Sequence, residues 1–186
     1  MSQCGTQVIP YLHAAFVRYK YEGIPPFRAL VMDYPTDPAV KNLSSEYLMG
    51  DSLLVAPVME GEINRKVYLP EGDWFNFWSL KKYTGKAEYI IDAPLEQIPL
   101  FIKSGTILPL AKPTLHTDDP ESWSLTALVT GASPQSCILY EGDDNTVTPG
   151  LKEVRLVWDN KKQQGKLERS GKAASLKYEV KEWKIV

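Results

Sequence analysis

Asp33 and Asp37 are the pair of carboxylates near the start of the chain whose spacing invites a test for catalysis. A carboxyl pair that shares one reaction must stand roughly 5–10 Å apart. Four residues of extended chain span roughly 13 Å, and a turn at Pro35 would shorten that. No cationic or apolar neighbour in the sequence marks either residue for proton transfer, so both read as capping or turn residues. Farther along, Glu141, Asp143, Asp144 and Asn145 gather enough oxygen to suggest a weak Ca²⁺ site. They lack the Asp-x-Asp-x-Asp-Gly ligand spacing, and a solvated turn is the better reading. His13 and His116 are the two histidines. Without cysteine or histidine at ligand spacing they make no zinc site. No Gly-x-Ser-x-Gly elbow or phosphate loop is present. Arg28 opens an apolar run, where an unpaired cation is costly. The expected partner is a carboxylate such as Glu22. Asp51, after Gly50, is expected to satisfy local backbone donors.

Those residues need elements to hold them, and 186 residues suffice for one ordinary domain or two small ones. Hydrophobic residues make up 44% and charged residues 24%, the globular norm. A net charge of −2 with interspersed signs asks for no nucleic acid and no anionic membrane surface. The longest apolar run, Leu53 to Met59, is interrupted by Pro57 and is far too short to span a bilayer. Cys4 and Cys137 have no spacing that pairs them. Asn42-Leu43-Ser44 fits a glycosylation sequon, a short and common pattern.

Val8, Ile9, Leu12, Ala15, Phe16 and Tyr19 recur at helical spacing, so a helix is predicted over 7–22, with Pro10 in its first turn and Gly23 as its cap. Phe27 to Tyr34 reads as a strand buried on both faces. From residue 47 short β-rich runs alternate with turn clusters, as in a β-sandwich. Strands are predicted near 52–58, 65–69, 73–78, 87–91, 98–103 and 106–110. The 73–78 strand carries aromatics on both faces and should be covered on both sides. Lys112 to Glu121 reads as a linker. Strands resume near 124–129, 136–140, 153–158, 165–169, 175–180 and 182–186.

Three motifs in fixed order carry a family resemblance. They are Glu46-Tyr47-Leu48-Met49-Gly50-Asp51-Ser52-Leu53-Leu54-Val55-Ala56-Pro57-Val58, then Val67-Tyr68-Leu69-Pro70-Glu71-Gly72-Asp73-Trp74, then Ile98-Pro99-Leu100-Phe101-Ile102-Lys103-Ser104-Gly105-Thr106-Ile107-Leu108-Pro109-Leu110. Together they resemble the region after the catalytic barrel in glycoside hydrolase family 31, which holds α-glucosidases and α-xylosidases. Ile9-Pro10-Tyr11-Leu12, Gly23-Ile24-Pro25 and Arg28-Ala29-Leu30-Val31-Met32-Asp33-Tyr34-Pro35 with Asp37 resemble the end of that barrel. Leu139-Tyr140-Glu141-Gly142-Asp143-Asp144 is similar to the family's distal Leu-Tyr-Glu-Asp-Asp-Gly turn, with Gly142 displaced.

The resemblance implies a mainly β chain: two β-sandwich domains preceded by a terminal helix and strand of a (β/α)8 barrel. Residues 1–45 would be the barrel remnant, 46–111 the proximal sandwich and 112–186 the distal one. It also implies a retaining mechanism on two carboxyl groups, whose nucleophile sits in a Trp-x-Asp-Met type motif upstream. That motif is missing here, since Met32-Asp33 has the residues reversed. The expected role is therefore the carboxy-terminal part of an α-glycosidase, without catalytic residues or cofactor of its own. Its expected partners are the upstream barrel, which Arg28 is an alternative candidate to contact, and the enzyme's α-linked oligosaccharide. The competing reading is a stand-alone carbohydrate-binding or scaffold module. On that reading flat rings would stack on sugar, and Trp123, beside the linker, is the favoured platform among Trp74, Trp78, Trp123, Trp158 and Trp183. A helix and strand at 7–35 with no barrel to join would leave an apolar patch prone to self-association, unless it packs on the chain's own sandwich.

Overall fold

The structure, a computed structural model, describes residues 6–114, 123–141, 152–170 and 178–186. Cys4, His116, the linker residues 115–122 and the acidic turn at 142–145 lie outside them. The chain divides into two compact units: a central one, Pro25–Ser104, and a split one, Met1–Ile24 with Gly105–Val186.

The central unit is two antiparallel sheets. Strands β1 (Phe27–Ala29), β2 (Tyr47–Met49), β3 (Leu53–Val55), β5 (Asp73–Asn76), β6 (Lys82–Thr84) and β8 (Leu100–Lys103) form one in the order β1-β2-β3-β8-β5-β6. Strands β4 (Asn64–Leu69) and β7 (Ala87–Asp92) form the other. Period-2 alternation decides which side chains meet. On β4, Lys66 is exposed and Tyr68 half-buried, while Val67 and Leu69 on either side of Tyr68 are fully buried. They join Ile91 of β7 and, from the larger sheet, Leu48, Leu54, Trp74 and Phe101 in one core. All three residues of β3 are buried, as its place between β2 and β8 requires. Trp74, Phe75 and Asn76 of β5 are buried too, so that strand is covered on both faces as its aromatics foretold.

The run Phe27–Tyr34 is not one buried strand. Only Phe27–Ala29 is extended, with burial alternating exposed, buried, exposed, and Leu30–Asp33 turns into a short helix, α2. Leu30 then plugs the core while Met32 stays exposed. Short strands β2 and β6 were also not separated by the sequence patterns, and Trp78 lies in a turn beyond β5.

In the split unit, helix α1 spans Ile9–Glu22 with Pro10 in its first turn. Gly23 closes it with φ 73°, a left-handed cap that glycine adopts without a Cβ penalty, and its N–H reaches Tyr19 O at 3.0 Å. Strands β9 (Ile107–Ala111), β10 (Ser124–Val129) and β14 (Glu179–Ile185) make one sheet, with β10 central, antiparallel to β9 and parallel to β14. Strands β11 (Cys137–Glu141), β12 (Lys152–Asp159) and β13 (Gln164–Arg169) make a second, antiparallel one. Leu125, Ala127 and Val129 from one sheet meet Leu139, Val154 and Leu156 from the other, and Ala14 of α1 joins the same core.

Of the two predicted strands 175–180 and 182–186, residues 175–177 lie outside the described residues, and the described part is a single strand, Glu179–Ile185. Leu125 pairs with Val180 but Thr126 with Glu182, so Lys181 is the extra residue of a bulge. A bulge resets the in–out alternation, and that reset imitates a strand boundary.

Candidate functional site

Arg28 is the best-connected charged group in the central unit. The pleat of β1 turns it inward, and its side chain is 7% exposed. Helix α2 brings Asp33 back beside it: Arg28 Nε and Nη2 reach Asp33 Oδ2 at 3.0 and 2.9 Å. The turn after β2 delivers Asp51, whose Oδ1 accepts from Nη2 at 3.0 Å, and Gly50 N–H ties that turn to Pro26 O at 2.7 Å. Nη1 donates to Pro25 O at 3.0 Å. The partners are thus Asp33 and Asp51. Glu22 belongs to a different pair, 3.0 Å from Arg18 one helical turn away.

Asp37 faces other work. Its Oδ1 caps the 3-10 turn at Pro38–Val40 through Ala39 N at 3.0 Å, and its Oδ2 accepts from Tyr68 Oη at 2.7 Å. Burial and that contact push the Tyr68 phenol up to about 12. Asp33 and Asp37 therefore serve separate neighbours, one a guanidinium and one a phenol and a turn. A retaining pair needs one nucleophilic carboxylate and one proton-donating carboxyl aimed at a common bond. Nothing in these contacts provides that arrangement.

Glu46 is a group that sequence reading did not single out for a role. It sits just before β2, is 3% exposed, and accepts from Tyr68 N–H at 2.9 Å through Oε1. Burial pushes its carboxyl up to about 7, against the smaller opposing effects of the Tyr68 bond and Arg65. An acid immediately before an apolar strand was the available signal. In the split unit Glu141 is similarly hidden, taking Tyr178 N–H at 2.8 Å, while Arg169 donates to Tyr178 O.

The tryptophans are engaged in packing. Trp74 is fully buried with Nε1 on Pro70 O, and Trp78 donates to Ile98 O. Trp158 and Trp183 face each other at 5.9 Å. Trp123 is half-buried, edge-on to the buried Tyr178 ring at 5.1 Å. His13 is half-buried on α1, and Asn42 of the sequon lies on an exposed turn. No group of three or more ligating side chains gathers among the described residues, and no described helix is long and apolar enough to cross a membrane.

Comparison with known proteins follows the same lines. Residues 23–108 match the glycosyl hydrolase family 31 C-terminal domain. The α-xylosidase of Saccharolobus solfataricus is 30% identical over 89% of this chain and 24% of its own length. Alpha-glucosidase 2 of Bacillus thermoamyloliquefaciens is 31% identical over 75% of this chain and 18% of its own. Among solved structures, the family 31 α-xylosidase of Xanthomonas citri superposes with a TM-score of 0.79 at 30% identity, over 97% of this chain and 19% of that one. The chain thus spans about a tenth to a quarter of the curated relatives it matches. By its ordered motifs, its paired sheets and these relatives, the chain belongs to glycoside hydrolase family 31, with residues 23–108 forming the family's C-terminal domain.

Proposed function

We propose that the chain works as the carboxy-terminal, non-catalytic part of a retaining α-glycosidase of α-glucosidase or α-xylosidase type, bracing the catalytic barrel. The observation that carries this is coverage: relatives named for these activities match 75% and 89% of this chain with at most 24% of their own length. The occupied contacts of Asp33 and Asp37 agree with it.

The central unit also has a surface suited to such a neighbour. Met59 and Ile63 of the β3–β4 loop are 68% and 80% exposed, and Leu95 and Ile98 of the β7–β8 loop are 99% and 54% exposed. Backbone bonds from Ala93 N to Ile63 O and from Ala56 N to Pro99 O bring the two loops together. Apolar side chains grouped this way mark a protein contact. In this reading the barrel covers them, and the barrel holds the α-linked oligosaccharide.

The test joins two measurements. An antibody to this chain should detect, in the native source, a protein several-fold heavier than 21.0 kDa, and the captured protein should hydrolyse an aryl α-glucoside or α-xyloside. The purified 186-residue chain should show no hydrolysis. A native species of 21.0 kDa, or turnover by the chain alone, would overturn the proposal.

A further inference from the structure

Glu46 stands between the two sheets of the central unit: it precedes β2 of the larger sheet and holds the backbone of Tyr68 on β4 of the smaller one. Only one of its oxygens is satisfied. Oε2 is buried with no hydrogen-bond partner, and Arg65 Nε, also on β4, is buried with none either. An ionised carboxylate in that position would leave lone pairs and charge unsolvated, whereas a neutral carboxyl avoids the larger penalty. Arg65 meanwhile is held elsewhere, by Ser45 O at 3.3 Å and Glu62 at 3.7 Å.

Burial is what favours the neutral form, and it outweighs the pull of Arg65, while the charges around the carboxyl act in both directions. Glu88 on β7 opposes ionisation of Glu46 and is itself paired with Lys66 at 2.7 Å. Asp37 reaches the same strand through the Tyr68 hydroxyl at 2.7 Å. Arg65 is the one cation that favours ionisation.

We propose that Glu46 is a proton-operated fastener between these two sheets. Neutral, it seats Tyr68 N–H and leaves Arg65 with Ser45 and Glu62. On losing its proton it becomes a buried charge whose cost the firmer Tyr68 N–H bond and the pull on Arg65 only partly offset, and the β2–β4 contact loosens. The sign follows from linkage. The folded value, about 7, lies above the ordinary 4.5, so the stabilisation is complete below about pH 4.5 and is lost as pH rises through about 7. One pKa unit is tenfold in an equilibrium constant. The unfolding constant of the central unit should therefore rise on the order of a hundredfold across that window.

The experiment follows the Tyr68 amide by hydrogen exchange in the full 186-residue chain from pH 5 to 8.5, corrected for intrinsic rates, beside the Glu46→Gln variant. Glutamine keeps an acceptor for Tyr68 N–H and cannot titrate. Protection in the parent chain should fall with rising pH, and in the variant it should stay level. A ¹³C titration of the Glu46 carboxyl in the parent, which depends on no variant, should show a midpoint near 7. Parallel protection profiles, or a carboxyl midpoint below 5, would overturn the proposal.

Discussion

The two units solve the same packing problem with different kinds of polar tie. In the central unit, Arg28 binds Asp33 and Asp51, Tyr68 Oη binds Asp37, and Ser79 Oγ binds Asn76. Each is side chain to side chain, so each fixes two residue types at once. In the split unit the buried hydrogen bonds run mainly to backbone: Thr130 Oγ1 bonds with Thr106 N and O, Glu141 with Tyr178 N, and Arg169 with Tyr178 O. The one buried side-chain pair there among the described residues is the looser Glu141–Arg169 contact at 4.0 Å. A backbone atom is supplied by whatever residue stands there. Apart from the Tyr11 and Tyr178 rings, the buried apolar side chains of the split unit among the described residues are aliphatic, and aliphatic packing accepts many substitutions of similar volume. The family model matches 23–108, which is nearly the central unit. Recognisable sequence and reciprocal polar pairing fall in the same place, and the second is a physical reason for the first.

Arg28→Met is the strongest attempt to break that comparison. It keeps much of the buried stem and removes the donors, leaving Pro25 O, Asp33 and Asp51 without their cation. Removing one partner of a fully buried pair costs about 3–5 kcal/mol. Asp33 and Asp51 are 36% and 52% exposed and can return to water, so about 2–3 kcal/mol is expected. Urea unfolding followed by the Trp74 and Trp78 signals would show it as a lower midpoint at unchanged slope. No change within error would remove the polar cluster from the explanation.

Gly165→Ala tests the split unit where shape, rather than volume, is restrictive. A Cβ on Gly165 would fall 1.9 Å from the Trp183 ring, which lies beside Trp158, the cross-strand partner of Gly165. The indole must give way, at a cost of about 1–3 kcal/mol. Near-UV circular dichroism should lose intensity from the displaced indole pair along with the drop in midpoint. A variant with parental spectrum and stability would contradict the packing of Trp183 on Gly165.

The sequence made long alternating strands plain: β4, β7, β10, β12 and β13 need only period-2 burial, and α1 needs only its spacing and Gly23. It did not separate β2 or β6, because three residues are too few to show a period. It hid α2 inside an apolar run, since Leu30 and Val31 suit a helix or a strand equally well. The site was the least legible part. Arg28 could be seen to need a carboxylate, but Asp51 lies 23 residues away and is brought in by the turn at Gly50. Only tertiary structure makes that choice.

Leu139→Met is the gentlest and the most discriminating change. Leu139 is fully buried on β11 among Leu156, Val154 and Ala127, with no polar atom to satisfy. Methionine has similar volume and an unbranched, adaptable chain, so the loss should stay below about 1.5 kcal/mol. Set beside Arg28→Met, this places the same residue into the two units, in one case for a shape and in the other for a set of donors. Thermal or urea unfolding of both variants would then separate the two kinds of constraint. If Leu139→Met cost as much as Arg28→Met, the split core would be as exacting as the central one. The weaker family signal past residue 108 would then need a cause other than interchangeable aliphatic packing.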